Sequence, residues 1–550
     1  MAGRARWALL GWCCGATVIL DDAPRSNPAR YHEQQQDHFD PGNNVTWPQA
    51  YYVNDTFWQK GSGAPIFLCV GGEGPALDAS AVQNSVHCSI AVEGLKAKKA
   101  LMFALEHRYY GCHNRSACPV QDLAGPDALM YLSSRQAVED IASFVKAMNA
   151  KYSLTRNRWV TWGGSYPGML AGWSRLKHPE LIHASVASSA PVSATFDMPE
   201  YMDHMAFAYT VSDNAVGGSP QCRDAIRAGH AWIEESFKAG NFSAVATRFG
   251  LAEKSLDTLD QRIAFASSGV ADFPAQENDP LCEQPACNIA KVCAIMTNST
   301  FGDEVERLLQ LRKAQGVAKF SRRGRWQAQL ASGSSSLRLG LNGVYEAKDE
   351  LPDFWFFQTC REFGFYQTCE ATGGCMFVRD LANVSYYAAN CMKLYNITLG
   401  DVQSNIDGTN YHYGGLLPTG TKGQLGRCVM FPNGEVDPWS TRSVLQSPGK
   451  DLPTLYVSGA SHHAWTWPSR KGDQESVMAA RTKIREQVDA FFQMDCDEDA
   501  PQGQTPRSPV LLISLIGVAT LGIATCAFVR CRRPRVASAR QPLTTSLQPA

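Results

Sequence analysis

Ser165 stands where a strand-like run meets a helix-like one. Arg158-Trp159-Val160-Thr161-Trp162 is apolar, β-branched and aromatic, and it stops at Gly163-Gly164-Ser165-Tyr166-Pro167-Gly168. Met169-Leu170-Ala171-Gly172-Trp173 then reads as the start of a helix. A serine at a sharp strand-to-helix turn is the geometry of a nucleophile elbow, where small neighbours leave room for a strained backbone. A strict Gly-x-Ser-x-Gly pattern would place glycine at Pro167, so here the glycine comes one position late. The same residues also suit a tight turn whose serine merely caps the helix.

A serine nucleophile needs a base to take its proton and an acid to orient that base. Phe431-Pro432-Asn433-Gly434-Glu435-Val436-Asp437-Pro438-Trp439 offers Asp437, with Glu435 as the alternative acid. Val457-Ser458-Gly459-Ala460-Ser461-His462-His463 offers two adjacent histidines, and chemistry alone does not choose between them. The order serine, acid, histidine, each in a loop after a strand, is that of α/β-hydrolases. An oxyanion hole needs two backbone donors. The Tyr166 amide would be one, and Gly72 in the loop Gly71-Gly72-Glu73-Gly74 supplies the other. That loop lacks the strand-helix spacing and the later acid of a dinucleotide site.

The elements that must carry these residues are legible as apolar runs. Ala64–Val70 and Ala100–Leu105 precede the run before Ser165, and Ser134–Asn149 between the last two has helical spacing. Arg427–Phe431 and Leu452–Val457 resume the strand pattern, and an amphipathic helix over Glu475–Met494 closes it. Continuous apolar strands alternating with helices predict a largely parallel sheet covered on both faces. Residues 197–405 read instead as a mostly helical, cysteine-bearing insertion, with helical spacing over Gly302–Phe320. Within it, a Gly/Ser-rich loop lies at Ala331–Ser336, and Arg322, Arg323 and Arg325 suit an ordinary solvated loop.

The ends differ from the middle. Residues 1–20 place Arg4 and Arg6 before an apolar stretch of signal-peptide length. Residues 509–529 carry no charge, and a helix of that length rises about 30 Å, enough to span a bilayer. Arg530, Arg532, Arg533 and Arg535 follow at once, which predicts a type I single-pass protein with a basic cytoplasmic tail over 530–550. Residues 496–508 form the linker before the span. A net charge of -1 and the lack of a basic stripe exclude nucleic acid as an expected partner. Of the 18 cysteines, fourteen fall between signal and span, an even number in an oxidising compartment. The clusters Cys282, Cys287, Cys293 and Cys360, Cys369, Cys375 lack paired zinc-site spacing, so disulfides are expected and no metal. Sequons at Asn44, Asn54, Asn114, Asn241, Asn298, Asn383 and Asn396 suit glycosylation there.

With these residues in view, the chain resembles the S28 family of serine carboxypeptidases, which includes prolyl carboxypeptidase, dipeptidyl peptidase II and thymus-specific serine protease. Gln36-Asp37-His38-Phe39, Gly71-Gly72-Glu73-Gly74, Glu106-His107-Arg108-Tyr109-Tyr110-Gly111, Gly163-Gly164-Ser165-Tyr166 and Asn433–Trp439 resemble its motifs in order. Gln358–Thr368 is nearest the thymus-specific branch, and the similarity spans about residues 33 to 495. The resemblance implies an α/β-hydrolase domain over 30–196 and 406–495, interrupted by a helical cap over 197–405, with substrate bound between them. It implies a serine exopeptidase without a cofactor that cleaves short peptides, often after proline, and it assigns His462 as the base. Ser165, Asp437 and His462 would then be catalytic, and Glu73, Trp355, Gln358 and Glu362 would meet the substrate. Ala464-Trp465-Thr466 and Cys112-His113 depart from the family pattern, which bears on the specificity pocket rather than on the triad.

The sequence leaves open whether the carboxyl or the amino end of the peptide is trimmed. It expects peptide substrates and a membrane as partners, with homodimerisation left open. Two other readings stay in view. One is an esterase or lipase on the same fold, although the insertion is not predominantly apolar. The other is a non-catalytic receptor on a hydrolase scaffold, although all three triad candidates are present.

Overall fold

Strand β3 (Ile66–Val70) is buried along its whole length, with Ile66, Leu68 and Val70 in one core cluster and Phe67 and Cys69 in another. A continuous apolar run becomes a strand covered on both faces because alternate side chains point to opposite sides. The computed structural model describes residues 27–125, 127–316 and 352–496. In it β3 lies between β4 (Leu101–Leu105) and β5 (Trp159–Gly164), parallel to both.

Around this centre run β1 (Arg30–Gln35), β2 (Thr46–Asn54), β6 (Ala184–Ser188), β9 (Val429–Gly434) and β10 (Thr454–Val457). The eight-stranded order is β1-β2-β4-β3-β5-β6-β9-β10. Only the β1–β2 and β2–β4 pairings are antiparallel. The mostly parallel sheet fits the expected α/β-hydrolase class. Helix α1 (Ser89–Lys98) covers the Phe67 face, while α2 (Ser134–Tyr152) and α3 (Tyr166–Lys177) cover the Leu68 face. Ser133 starts α2 by accepting the Gln136 amide, an N-cap that satisfies one of the helix's unpaired donors.

The chain leaves the main sheet after β6 and returns at β9. Between them lie β7 (Thr195–Asp197), which pairs with β8 (Gly364–Tyr366), and a set of helices. These are α4 (Pro199–Ala208), α5 (Pro220–Lys238), α6 (Phe242–Arg248), α7 (Leu259–Ala266), α8 (Ile289–Met296) and α9 (Glu304–Ala314). After residues outside the description come α10 (Phe354–Gln358), a π-helical turn over Thr359–Phe363, α11 (Val384–Tyr395) and α12 (Leu399–Tyr413). Helix α13 (Glu475–Gln493) then returns to pack on the α1 side of the sheet. Sheet and insertion belong to one compact unit.

All fourteen cysteines expected in the oxidising compartment pair, in seven disulfides. Cys69–Cys88 and Cys112–Cys118 lie in the first half, and Cys428–Cys496 ties the start of β9 to the end of the described chain. The first cluster resolves into Cys282–Cys287 and Cys222–Cys293, the second into Cys369–Cys375 and Cys360–Cys391.

Asn44, Asn114, Asn241, Asn383 and Asn396 are exposed, whereas Asn54 and Asn298 are half-buried. The Asn54 amide nitrogen donates to the Val82 carbonyl at 2.8 Å. Among the described residues no helix is long and apolar enough to cross a membrane. The signal segment 1–20, the span 509–529 and the tail 530–550 lie outside the described residues, as do the linker beyond Cys496, the loop 331–336 and Arg322, Arg323 and Arg325.

Candidate active site

Ser165 joins β5 to α3 with φ 65° and ψ -132°, a backbone region that residues with a β-carbon avoid. The neighbouring glycines make that conformation tolerable. A β-carbon on Gly163 would lie 2.2 Å from the Pro167 carbonyl oxygen, and one on Gly168 would lie 2.9 Å from that of Ser188. The Ser165 amide donates to the Ser188 carbonyl at 2.9 Å, tying the turn to the end of β6. Pro167 sits in the first turn of α3, where its missing N–H costs no helical bond. Its ring lies against Gly72, so the late glycine of the motif is matched by a glycine in the facing loop.

That loop follows β3 and is held from below. The Gly71 amide donates to the Leu105 carbonyl at 2.9 Å, and the Leu77 amide donates to Glu106 Oε2 at 2.6 Å. Glu106 Oε1 accepts the His107 amide at 2.9 Å. Burial pushes the Glu106 carboxyl up to about 7, against the pull of these two amides. The Tyr166 amide, at the first position of α3, has no acceptor within its own helix. Glu73 is partly exposed as a residue, but its Oε2 is buried without a hydrogen-bond partner among the described residues. Burial raises its carboxyl to about 8, offset in part by its own backbone amide and the Ser165 hydroxyl.

Asp437 and His462 meet where the loops after β9 and β10 converge. Asp437 is fully buried; its Oδ1 accepts the Trp439 amide at 2.9 Å and its Oδ2 faces His462 Nδ1 at 2.9 Å. A carboxylate only accepts, so Nδ1 carries the proton and Nε2 presents its lone pair. That Nε2 is buried and unpartnered among the described residues. His463 turns the other way, in a left-handed conformation with φ 39°. Its amide donates to Ser189 Oγ at 2.9 Å, and its Nδ1 pairs with Thr466 Oγ1 at 3.1 Å. A β-carbon on Gly164 would lie 2.9 Å from His463 Cγ, which puts the histidine loop directly against the elbow. Burial, then the neighbouring His462 and His87, holds the His463 imidazole well below its usual range. Glu435 is committed elsewhere, its Oε2 accepting Ser458 Oγ at 2.8 Å and the Gly459 amide at 2.7 Å.

The remaining expected site residues come from the insertion. The Trp355 ring lies 5.5 Å from that of Tyr166. Gln358 is fully buried and donates through Nε2 to the Tyr166 hydroxyl at 2.9 Å. The Glu362 carboxyl accepts the Ser134 amide at 2.8 Å and its hydroxyl at 2.6 Å, and burial raises it. Several neighbours carry no local sequence signal. The His87 ring lies 5.4 Å from that of His463 and tilted to it, and the Gln276 carbonyl accepts the His462 amide while its side chain accepts from Trp439 Nε1. Their positions depend on packing between distant segments.

Beside the histidine is an aromatic pocket whose lining includes Met202, Trp355, Phe365, Tyr366 and Trp439, with no charged side chain. The Trp439 ring is 6.5 Å from that of His462.

The profile of the serine carboxypeptidase S28 family matches residues 34–484. The human thymus-specific serine protease is 32% identical over 84% of this chain and 86% of its own length. The human lysosomal Pro-X carboxypeptidase is 27% identical over 82% of this chain and 86% of its own.

Proposed function

Because the chain belongs to the serine carboxypeptidase S28 family and is a serine-type peptidase, we propose that Ser165, His462 and Asp437 form its catalytic triad in an exopeptidase of short peptides. Ser165 Oγ attacks the peptide carbonyl as His462 Nε2 takes its proton, and Asp437 stabilises the resulting imidazolium. The amides of Tyr166 and Gly72 receive the oxyanion. Collapse breaks the C–N bond, the leaving amine takes the proton from His462, and an acyl-enzyme remains. Water, deprotonated by the same histidine, then releases Ser165.

The reading rests most on the 2.9 Å pair between His462 Nδ1 and Asp437 Oδ2, which leaves Nε2 buried and unpartnered among the described residues. The uncharged aromatic pocket against Trp439 suits an apolar residue such as proline next to the cleaved bond. Trp355 contributes to that pocket and Glu73 faces the substrate beside Ser165, while Gln358 and Glu362 support it from behind. The helical insertion caps the site and restricts it to peptide ends. Seven disulfides suit a lumenal or outer location. The uncharged run 509–529 and the arginines after it would anchor the protein there.

The test is cleavage of a mixed library of free and end-blocked peptides by the parent protein and by Ser165→Ala. Cleavage at peptide ends by the parent alone supports the reading. Equal cleavage by both, or ester hydrolysis without peptide cleavage, contradicts it.

A further inference from the structure

The phenol of Tyr166, the residue after the nucleophile, is buried between two parts of the fold. His107 Nε2, in the loop after β4, lies 3.0 Å from its hydroxyl, and Gln358 Nε2, at the end of α10, lies 2.9 Å from it. The direction of each bond is fixed by chemistry. His107 Nδ1 is 2.6 Å from the Arg108 carbonyl, which can only accept, so Nδ1 is protonated and Nε2 accepts. The Tyr166 hydroxyl therefore donates to His107 and accepts from Gln358. Gln358 Oε1 in turn accepts from the Tyr110 hydroxyl at 2.7 Å. Every donor in the chain has an acceptor, and no member can reverse without stranding another.

A second tie runs beside the first and meets it where Gln358 Nε2 reaches Glu362 Oε2 at 3.4 Å. The Ser134 hydroxyl donates to Glu362, so at 3.2 Å it accepts from the Tyr413 hydroxyl of α12. The Tyr413 ring stacks on Trp173 of α3, with centroids 3.7 Å apart and planes 5° apart. Trp173 lies about two turns beyond Tyr166, on the same side of α3. Phe363, in the π-helical turn after Gln358, touches both rings, at 5.6 Å from Tyr166 and 6.2 Å from Trp173. The insertion thus grips the nucleophile's helix at two points on one face.

We propose that Gln358 is a positioning residue for the serine chemistry: by holding the Tyr166 phenol against His107, it fixes the backbone amide that follows Ser165. The cap then sets the alignment of an oxyanion donor, besides covering the site. This rests on the reading of Ser165 as the nucleophile.

Two substitutions separate positioning from packing. Gln358→Met keeps the volume and loses the bonds to Tyr166 and Tyr110, together with the longer 3.4 Å bond from Nε2 to Glu362 Oε2. Gln358→Glu keeps the shape and serves only while protonated, because a neutral carboxyl can donate to Tyr166 and accept from Tyr110. Once ionised it only accepts, and the Tyr166 hydroxyl must turn away from His107 to donate to it.

The readout is the rate constant of fluorophosphonate labelling at Ser165, per folded protein, together with kcat and KM on one cleaved peptide. Gln358→Met should label about 10- to 100-fold more slowly, with kcat lowered and KM little changed. Gln358→Glu should approach the parental rate at acid pH and lose it reversibly as pH rises, even if the methionine variant does not fold. A parental rate in Gln358→Met, or a loss in Gln358→Glu that does not vary with pH, would overturn the positioning role. Absence of Ser165 labelling in the parent itself would overturn the nucleophile reading, and this one with it.

Discussion

Pro167 and Gly72 interlock: a β-carbon on Gly72 would lie 2.3 Å from Pro167 Cγ. The proline that departs from the strict elbow motif therefore has its complement in the loop that we propose carries the second oxyanion donor. Any residue larger than glycine at position 72 must push that loop away from α3.

Gly72→Ala should consequently lower kcat by about 10- to 100-fold, since a shift near 1 Å at a reacting centre is enough for such a loss. It should also destabilise the fold by about 1–3 kcal/mol through overpacking. Steady-state kinetics and urea unfolding of the same preparation check both parts.

Ionisation of Glu73 would set a negative charge beside the Ser165 hydroxyl, the proposed nucleophile. Its carboxyl stays neutral up to about 8 because burial disfavours the charge. The parent's kcat should fall as pH rises through that value. Glu73→Gln, which cannot ionise, should keep its rate above about pH 8, as read from the two pH–rate profiles.

Glu106 carries a linked prediction for stability. Its carboxyl moves from 4.5 when unfolded to about 7 when folded, so the folded state holds the proton more tightly. This contribution is fully present below 4.5, shrinks as pH rises, and is gone above about 7. Glu106→Gln should flatten the fall in thermal stability across that window, measured as Tm against pH for both proteins.

The aromatic pocket against Trp439, proposed to receive the residue next to the cleaved bond, should discriminate by charge. With no charged side chain in its lining, a lysine or aspartate at the position next to the cleaved bond would be buried without a partner. Peptides differing only there should lose kcat/KM by about 100-fold or more relative to proline or alanine. Matched hydrolysis assays would read the ratio directly.

Strands β3, β4 and β5 were readable because each is an unbroken apolar run buried on both faces. Strand β6 was not, since Ala184-Ser185-Val186-Ala187-Ser188 consists mostly of small residues with no apolar signature. Ser188 at its end and Ser189 just beyond it instead meet the elbow and the His463 loop, where small side chains allow close approach. Strand β1 is largely polar and lies at the sheet edge, so its pattern carries no burial signal either. Ser165, Asp437 and the histidine pair were legible as loop residues following strands. Which histidine faces Asp437 was not legible from chemistry alone, because the left-handed turn at His463 and its bond to Ser189 depend on contacts far along the chain. The role of Gln358 was hidden for the same reason, since Tyr110 and Tyr166 reach it from separate segments.

The central claim is that His462, held by Asp437, activates Ser165. The most direct measurement is mass-spectrometric mapping of a fluorophosphonate adduct in the parent, His462→Ala and Asp437→Asn proteins. The expected result is one adduct, on Ser165, forming about 10³-fold more slowly or worse in both variants. An adduct on another residue, or labelling of Ser165 that is unchanged by loss of His462, would contradict the account.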